Sequence, residues 1–276
     1  MPNSAFVTIG DLSEERAASI ANELGKYASP FKTTPLFPSN KDHRDNCTYA
    51  QTDVLSWPSQ LALFKHALAS SPNKHIDIVV ANAGISGQDP VWQPQADASE
   101  PTEPDLSILK VNLVAVHYTA KLTAHYLSRT GPDSDSALIM TASLAGYLDM
   151  PGAPQYGASK WGVRGLMHSL RRTMPDQGIR VNIIAPWFIR TPIMSQGVQD
   201  LLTNKGVSFA EKADAAKAVL HFSADKSING RTFAILPRED CKEGYKDLCL
   251  DDFDAGDILT ALQTGVGPLR HRIEAK

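Results

Sequence analysis

The sequence predicts a single α/β domain built on a doubly wound, mainly parallel sheet. Short apolar runs rich in β-branched residues alternate with longer amphipathic stretches, which is the pattern of repeated strand–helix–strand units. The chain has 276 residues and is 42% hydrophobic, which suits one large α/β domain. The predicted elements follow one another without a linker-like break. Together these three observations favour a Rossmann-like architecture.

Each predicted strand is a short apolar run, and each predicted helix is a longer amphipathic stretch. The predicted strands cover residues 6–9, 47–52, 76–81, 137–141, 179–185 and 233–236. The predicted helices cover residues 13–24, 57–70, 105–128 and 156–174. We expect the strand at 233–236 to be the last one, so that the domain spans residues 1–236. Residues 237–276 would form a polar C-terminal extension with a weak helical pattern at 258–262.

Composition and charge exclude several classes of function. Twenty-seven basic and 30 acidic residues leave a net charge of −3, so nothing favours binding to nucleic acid or to an anionic membrane. No apolar run approaches the ~20 residues that cross a bilayer, and the first residues lack the regions of a signal peptide. Cys47, Cys241 and Cys249 stand in no metal-ligand or redox spacing. We therefore expect free thiols, no metal site and a cytoplasmic location.

Ser143, Tyr156 and Lys160 form the strongest candidate catalytic set. Tyr156 and Lys160 are four residues apart in a predicted helix and therefore share one of its faces. A phenol with a pKa of ~10 is a weak base at neutral pH, and a neighbouring ammonium group lowers that pKa. Tyr156 could then exchange a proton with an alcohol or a carbonyl, while Ser143 holds the substrate oxygen. A Tyr-x-x-x-Lys pair taken alone is also a common chance occurrence.

Three further motifs lie within or directly after predicted elements. Asn82-Ala83-Gly84 follows a buried strand, where small residues let the backbone approach a cofactor. Asn112 interrupts the apolar stripe of a helix, a position where asparagine more often satisfies a local backbone group than performs chemistry. Pro186 and Pro192 enclose a loop that follows another buried strand.

Over about residues 5–236 these motifs resemble the short-chain dehydrogenase/reductase family. The family's active site combines a Ser, a Tyr-x-x-x-Lys and an Asn, with the Ser thirteen positions before the Tyr, as Ser143 is before Tyr156. Residues 77–85 and 143–162 are most similar to fungal members related to 15-hydroxyprostaglandin dehydrogenase. The resemblance implies an NAD(P)-dependent oxidoreductase that interconverts a secondary alcohol and a ketone by hydride transfer. A role in fungal secondary metabolism would fit it.

The resemblance also implies a role for each matching residue. Tyr156 would move the proton, Ser143 would position the substrate oxygen, and Lys160 would lower the tyrosine pKa and hold the nicotinamide ribose. Asn112 would support a water in a proton relay. The implied cofactor-binding residues, besides Tyr156 and Lys160, are Asp53, Val54, Asn82, Ala83, Gly84, Pro186, Ile189 and Thr191.

Substrate and assembly are expected from the same resemblance. Trp187 stands where the family's loop has a glycine, and its bulky apolar neighbours Phe188 and Ile193 suggest a medium-sized apolar alcohol or ketone. The helices at 105–128 and 156–174 resemble those that pair in the family's oligomers. They predict a homodimer or a homotetramer.

The family's first strand, glycine-rich loop (Thr-Gly-x-x-x-Gly-x-Gly) and first helix have no counterpart in this sequence. That loop and the helix N-terminus hold the cofactor pyrophosphate. The strand at 6–9 matches the family's second strand, and Asp11 at its end would bind the adenosine ribose. Asp11 favours NAD over NADP, because a 2′-phosphate would meet a like charge. Alternatively, Asp11 caps the helix that follows.

The missing unit leads to two further expectations. In the strand order 3-2-1-4-5-6, the absent strand lies between those at 6–9 and 76–81, so both would lose a neighbour. Residues 26–46 are proline-rich and irregular, and a truncated gene model with a retained intron would explain both features. The chain is then either an active enzyme or a catalytically impaired relic or dimer partner that cannot bind the dinucleotide.

Overall fold

A computed structural model describes residues 5–25, 46–95, 99–128, 135–252, 258–260 and 262. Its strands are β1 (Val7–Asp11), β2 (Cys47–Gln51), β3 (Ile78–Ala81), β4 (Ser136–Thr141), β5 (Ile179–Pro186), β6 (Thr232–Ile235) and β7 (Tyr245–Asp247). β1 pairs with β2, and a second sheet has the order β3-β4-β5-β6-β7. Every pairing is parallel except that of β6 with β7. The predicted Rossmann-like α/β class is confirmed.

The helices flank these sheets. They are α1 (Glu14–Gly25), α2 (Trp57–Ser70), α3 (Ser107–Leu109), α4 (Ala115–Leu127), α5 (Pro154–Leu170), α6 (Gln196–Asn204) and α7 (Lys212–Ala224). A π-helical turn at Lys110–Val114 joins α3 to α4, so the helix predicted at 105–128 carries one wider turn. The helix predicted at 156–174 ends earlier, at Leu170, and Met174–Gln177 form a separate 3₁₀ turn.

Apolar side chains cover both faces of the larger sheet. On one face, α2, α4 and α5 bring Phe64, Leu127 and Met167 against Leu138 and Met140 of β4. On the other face, α7 packs on the sheet, and its buried core includes Ile139, Ile184, Ala218, Phe222 and Phe233. Successive residues of β4 thus point to opposite faces, as the pleat requires. The carboxyl ends of these buried strands carry the residues of the candidate site.

The larger sheet does not continue into β1. Among the described residues, β1 has β2 as its one strand partner, and β3 has β4 as its one partner. Both carry exposed apolar side chains, with Val7 39%, Ile78 38% and Val80 42% exposed. These two strands are the ones expected to lose a neighbour. Most of the proposed insert at 26–46 lies outside the described residues.

Helix α2 connects the two sheets. It packs on β2 and also on α4, where the Gln60 side chain donates a hydrogen bond to the Ala115 carbonyl at 3.0 Å. The Trp57 ring meets Tyr118 edge-on, with 5.6 Å between the ring centroids. The β1–β2 pair is therefore held to the larger sheet by helix packing.

β7 shows that the expectation for the last strand was wrong. It lies beyond residue 236 and runs antiparallel beside β6. Its three residues are too few and too polar to signal a strand in the sequence. Further along, the Asp251 carboxylate is buried and accepts hydrogen bonds from Tyr147 and Arg164 at 2.9 Å each. The residues that follow β7, as far as residue 252, therefore pack on the domain.

Candidate active site

Ser143, Tyr156 and Lys160 come together at the carboxyl end of the larger sheet. Ser143 follows β4, while Tyr156 and Lys160 lie on successive turns of α5. Ser143 lies beside the Tyr156 phenol, where its hydroxyl favours the charged form of the tyrosine. The Lys160 ammonium nitrogen lies 5.4 Å from the centroid of the Tyr156 ring and donates to the Thr141 carbonyl at 3.1 Å. The structure thus brings together the three residues of the predicted catalytic set.

Burial governs the protonation of this group. It raises the pKa of Tyr156 above its ordinary value, and the Ser143 hydroxyl offsets only part of that rise. Burial lowers the pKa of Lys160 to about 8. The expectation that the lysine charge lowers the tyrosine pKa is therefore wrong for this structure. Tyr156 is a neutral phenol at neutral pH, ready to donate a proton to a carbonyl oxygen.

Asn112 lies in the π-helical turn and is almost fully buried. Its side-chain oxygen accepts from the Ile85 N–H at 2.8 Å, and its amide nitrogen donates to the Ile85 carbonyl at 2.9 Å. The backbone-satisfying role that the sequence left open is thus present. A Cβ atom on Gly84 would lie 3.3 Å from the Asn112 oxygen and 3.8 Å from the Lys160 nitrogen. The glycine therefore lets the loop after β3 approach both side chains.

Thr141 is a site residue that the sequence analysis missed. Its hydroxyl donates to the Asn82 side chain at 2.9 Å, and its carbonyl accepts from Lys160. Thr141 thereby links the Asn82-Ala83-Gly84 segment to the catalytic group. Its position as the last residue of a buried parallel strand was the available signal.

The loop after β5 lies beside Ser143 of the candidate catalytic set. The Pro186 carbonyl accepts from the Ser143 hydroxyl at 3.3 Å, and Ile189 forms a bridge with Ala210. Trp187, at the position of the family's glycine, turns its indole inward against both apolar cores and donates to the Ser208 carbonyl at 3.2 Å. The Thr191 carbonyl accepts from the Met194 N–H.

The predicted adenosine-binding residues lie at the carboxyl ends of β1 and β2. One oxygen of the Asp11 carboxylate accepts from the Ser13 N–H at 2.8 Å and from the Arg16 guanidinium at 3.1 Å. The cap of α1 is Ser13, whose hydroxyl accepts from the Arg16 N–H at 3.2 Å, so the alternative that Asp11 caps this helix was wrong. Asp53 accepts from the Leu55 N–H, and the carbonyl of Val54 accepts from the Gln60 side chain.

Asp89 and Gln155 form a second pair that the sequence did not signal. Asp89 lies in the loop after β3, and both of its oxygens accept hydrogen bonds from Gln155, the residue before Tyr156. A cavity of about 310 Å³ adjoins this pair. It is lined by Gly87, Gln88, Asp89, Gln93 and Gly152.

Comparison with known proteins gives the family. A family model described as short chain dehydrogenase matches residues 3–201. The chain belongs to the short-chain dehydrogenase/reductase family. It is therefore an oxidoreductase that acts on CH–OH groups with a nicotinamide dinucleotide.

Curated fungal dehydrogenases resemble this chain over most of its length. A 5'-hydroxyaverantin dehydrogenase from Dothistroma septosporum is 34% identical, with 92% of this chain and 83% of the relative aligned. A 5'-hydroxyaverantin dehydrogenase from Emericella nidulans is 37% identical over 75% of this chain and 73% of its own length. An NADP-dependent dehydrogenase from Phoma sp. is 32% identical over 83% of this chain and 73% of its own length.

A solved structure supports the fold. A crystal structure described as a short-chain alcohol dehydrogenase from Sinorhizobium meliloti superposes with a TM-score of 0.65. The superposition covers 83% of this chain and 84% of that one, at 21% sequence identity. No helix within the described ranges is long and apolar enough to cross a membrane. Nor do the described residues contain a group of three His, Cys, Asp or Glu side chains that could hold a metal ion.

The residues around Lys160 fit the nicotinamide end of the cofactor. Lys160 is 4% exposed and makes its hydrogen bond to a backbone carbonyl, and a side chain at Gly84 would crowd Asn112 beside it.

Proposed function

We propose that this dehydrogenase interconverts a secondary alcohol and a ketone by hydride transfer, with Ser143, Tyr156 and Lys160 as its catalytic group. One observation carries the proposal. A neutral phenol lies beside a serine and one helical turn from a buried lysine, at the carboxyl end of a parallel sheet.

Each side chain has a distinct part in the proposed reaction. Bound nicotinamide dinucleotide supplies or accepts the hydride at the substrate carbon. Tyr156 donates its proton to the carbonyl oxygen during reduction and takes it back during oxidation. Ser143 donates a hydrogen bond to the same oxygen. Lys160, whose pKa is about 8, carries a proton at neutral pH and would hold the nicotinamide ribose when the cofactor is bound.

NAD remains our proposed cofactor, because the Asp11 carboxylate at the end of β1 would repel a 2′-phosphate. The ion pair between Asp11 and Arg16 places a cation at the same point, and a guanidinium is the group that binds a 2′-phosphate. A competition experiment between NADH and NADPH measures which cofactor binds more tightly. It thereby shows whether the Asp11 carboxylate or the Arg16 guanidinium dominates at this point. Tighter NADPH binding would contradict the proposal.

The substrate that we propose is a medium-sized, largely apolar secondary alcohol or ketone of fungal secondary metabolism. Support comes from Ile193, which is 39% exposed in the loop after β5. It also comes from the two relatives named as 5'-hydroxyaverantin dehydrogenases.

We further propose a homodimer or homotetramer formed through the α3–α4 and α5 helices. Val114 in the π-helical turn is 43% exposed, and Trp161 on α5 is 49% exposed. Side chains of this kind are apolar enough to support helix packing between copies. Analytical ultracentrifugation tests this directly, and a monomer at all concentrations would contradict it.

Replacing Tyr156 with phenylalanine tests the catalytic assignment. Removing the phenolic proton should lower kcat by about 10²–10⁴-fold, the usual contribution of a general acid or base. Binding of NADH, followed by its fluorescence, should change little. Tyr118→Phe is the matched control, because Tyr118 packs on Trp57 away from the site and should keep full activity. Turnover equal to wild type in Tyr156→Phe would contradict the assignment.

The second candidate is a catalytically impaired member of the family. The split between β1 and β3 among the described residues favours it. Titration of the wild-type chain with NADH separates the candidates. Saturable binding supports the enzyme, whereas no binding at millimolar NADH supports the relic or partner subunit.

A further inference from the structure

We propose that Asp89 is a positioning residue for Tyr156. Its carboxylate acts as the N-cap of α5 from a distant loop and thereby fixes the helical turn that carries the tyrosine. The inference rests on the function proposed above for Tyr156.

Helix α5 lacks a cap from its own sequence. Ala153 occupies the N-cap position and has no side-chain acceptor, and Pro154 has no N–H group. The first N–H of the helix is therefore that of Gln155, and one oxygen of Asp89 accepts it. The two residues are 66 positions apart, so this cap is a tertiary contact.

The negative charge of Asp89 is favourable at the N-terminal end of α5. Asp89 is 5% exposed, and no ion pair joins it to a Lys, Arg or His within the described ranges. A buried carboxylate needs compensation, which the N-terminal end of a helix dipole and its free N–H groups provide. The second oxygen of Asp89 accepts from the Gln155 side-chain amide at 3.2 Å.

Gln155 has a buried acceptor without a partner. Its amide nitrogen donates both to Asp89 and to the Asp105 carbonyl, the latter at 2.9 Å, while its side-chain oxygen accepts no hydrogen bond from any residue that the structure describes. An unsatisfied buried oxygen costs stability. The amide is thus oriented by its two donor contacts, which tie the start of α5 to two separate loops.

The loop that carries Asp89 is itself fixed at both ends. At Ile85 the side chain of Asn112 binds the backbone N–H and the carbonyl. At Asp89 the loop binds the first turn of α5. The loop therefore connects the π-helical turn to the residue that precedes Tyr156. It sets where Tyr156 stands relative to Ser143.

NMR of the tyrosine rings tests the proposal whether or not the chain turns over substrate. The chain has seven tyrosines, and ¹³Cζ labelling gives each of them an NMR signal. The signal of Tyr156 is identified as the one that disappears in Tyr156→Phe. In Asp89→Ala we expect the Tyr156 signal to shift or broaden. In Asp89→Asn, which keeps an acceptor for the Gln155 N–H, it should stay close to the wild-type position.

The matched control is Ser56→Ala, which removes the side-chain cap of α2. This variant should lower Tm as Asp89→Ala does and leave the Tyr156 signal unchanged. Asp89→Ser, which has a shorter neutral acceptor, replaces Asp89→Ala if the alanine variant does not fold. A Tyr156 signal that matches wild type in the folded variant, with only Tm lowered, would show a plain helix cap and overturn the proposal.

Kinetics add a readout where turnover is measurable. Asp89→Ala should lower kcat about tenfold or more, with the NADH dissociation constant within about twofold of wild type and with Asp89→Asn restoring most of the rate. Equal kcat values in the alanine variant and wild type would overturn the proposal. Failure of wild type to turn over substrate would count against the proposed function and leave the NMR result to decide the role of Asp89.

Discussion

At the residue scale, Lys160 is a buried side chain that carries a proton at neutral pH, although burial disfavours the charged form. The side chain is 4% exposed, and burial lowers its pKa to about 8. In the unfolded chain the lysine binds its proton more tightly, with a pKa of ~10.4. The buried charge therefore reduces the free energy of unfolding below pH 8. That penalty disappears as the pH rises from about 8 to about 10.4.

Replacing Lys160 with methionine should raise the free energy of unfolding at pH 7. The expected gain is about 1–3 kcal/mol. Removing the buried charge removes its desolvation penalty, and losing the hydrogen bond to the Thr141 carbonyl offsets part of that gain. The gain should shrink between about pH 8 and pH 10.4, as measured by urea denaturation. Lys65→Met is the control at an exposed position and should show no such pH dependence. A methionine variant less stable than wild type throughout this pH range would contradict the assignment.

The proposed catalytic residues were accessible to sequence reasoning, whereas their protonation was not. Tyr156 and Lys160 are brought together by the helical repeat alone, so their spacing predicted their contact. The rise in the Tyr156 pKa depends on how deeply the ring is buried, which no local pattern states. Asp89 and Gln155 meet across 66 positions without any motif. Their pairing follows from the loop path.

At the element scale, strands with continuous apolar runs were predicted well, and weakly patterned elements were missed. β4 and β5 are buried along almost their whole length, so their sequences are plainly hydrophobic. Helix α6 has no buried residue, and β7 has only three residues, so neither shows a core-facing pattern. The π-helical turn at Lys110–Val114 was likewise invisible, since a helical repeat does not reveal one widened turn.

The edges of β1 and β3 should be detectable by hydrogen exchange. In a parallel strand, successive N–H groups point alternately to the two sides, so about half of those in each strand point to a side where the described residues supply no ladder partner. These amides should exchange on the order of minutes, while those of β5, paired on both sides, should last far longer. Full protection of every amide in β3 would contradict the open edge.

At the scale of the whole molecule, a buried ionic cluster fastens the chain beyond β7. Asp251 is 2% exposed and accepts hydrogen bonds from Tyr147, Arg164 and His168. Burial alone would raise the pKa of Asp251, but these donors and Thr232 outweigh it and hold the pKa well below the usual range. The cluster connects α5 and β6 to the end of the described domain.

Replacing Asp251 with alanine should lower the free energy of unfolding by about 3–5 kcal/mol, because it leaves Arg164 without its buried partner. Asp200→Ala is the control, since Asp200 is exposed and accepts a hydrogen bond from the Gln196 side chain, and its loss should cost less than about 1 kcal/mol. Wild-type stability should fall as the pH drops below ~3.9, where the unfolded carboxyl takes up its proton first. Equal losses in the two variants, measured by urea denaturation, would contradict this role.

The open edges of β1 and β3 also bear on how the protein behaves in concentrated solution. A strand edge without a partner in its own chain is a template on which other chains can add and aggregate. Ile78-Val79-Val80-Ala81 contains none of the lysines or prolines with which natural edge strands discourage such addition. Aggregation should therefore increase with protein concentration, and dilute preparations should stay dispersed longest.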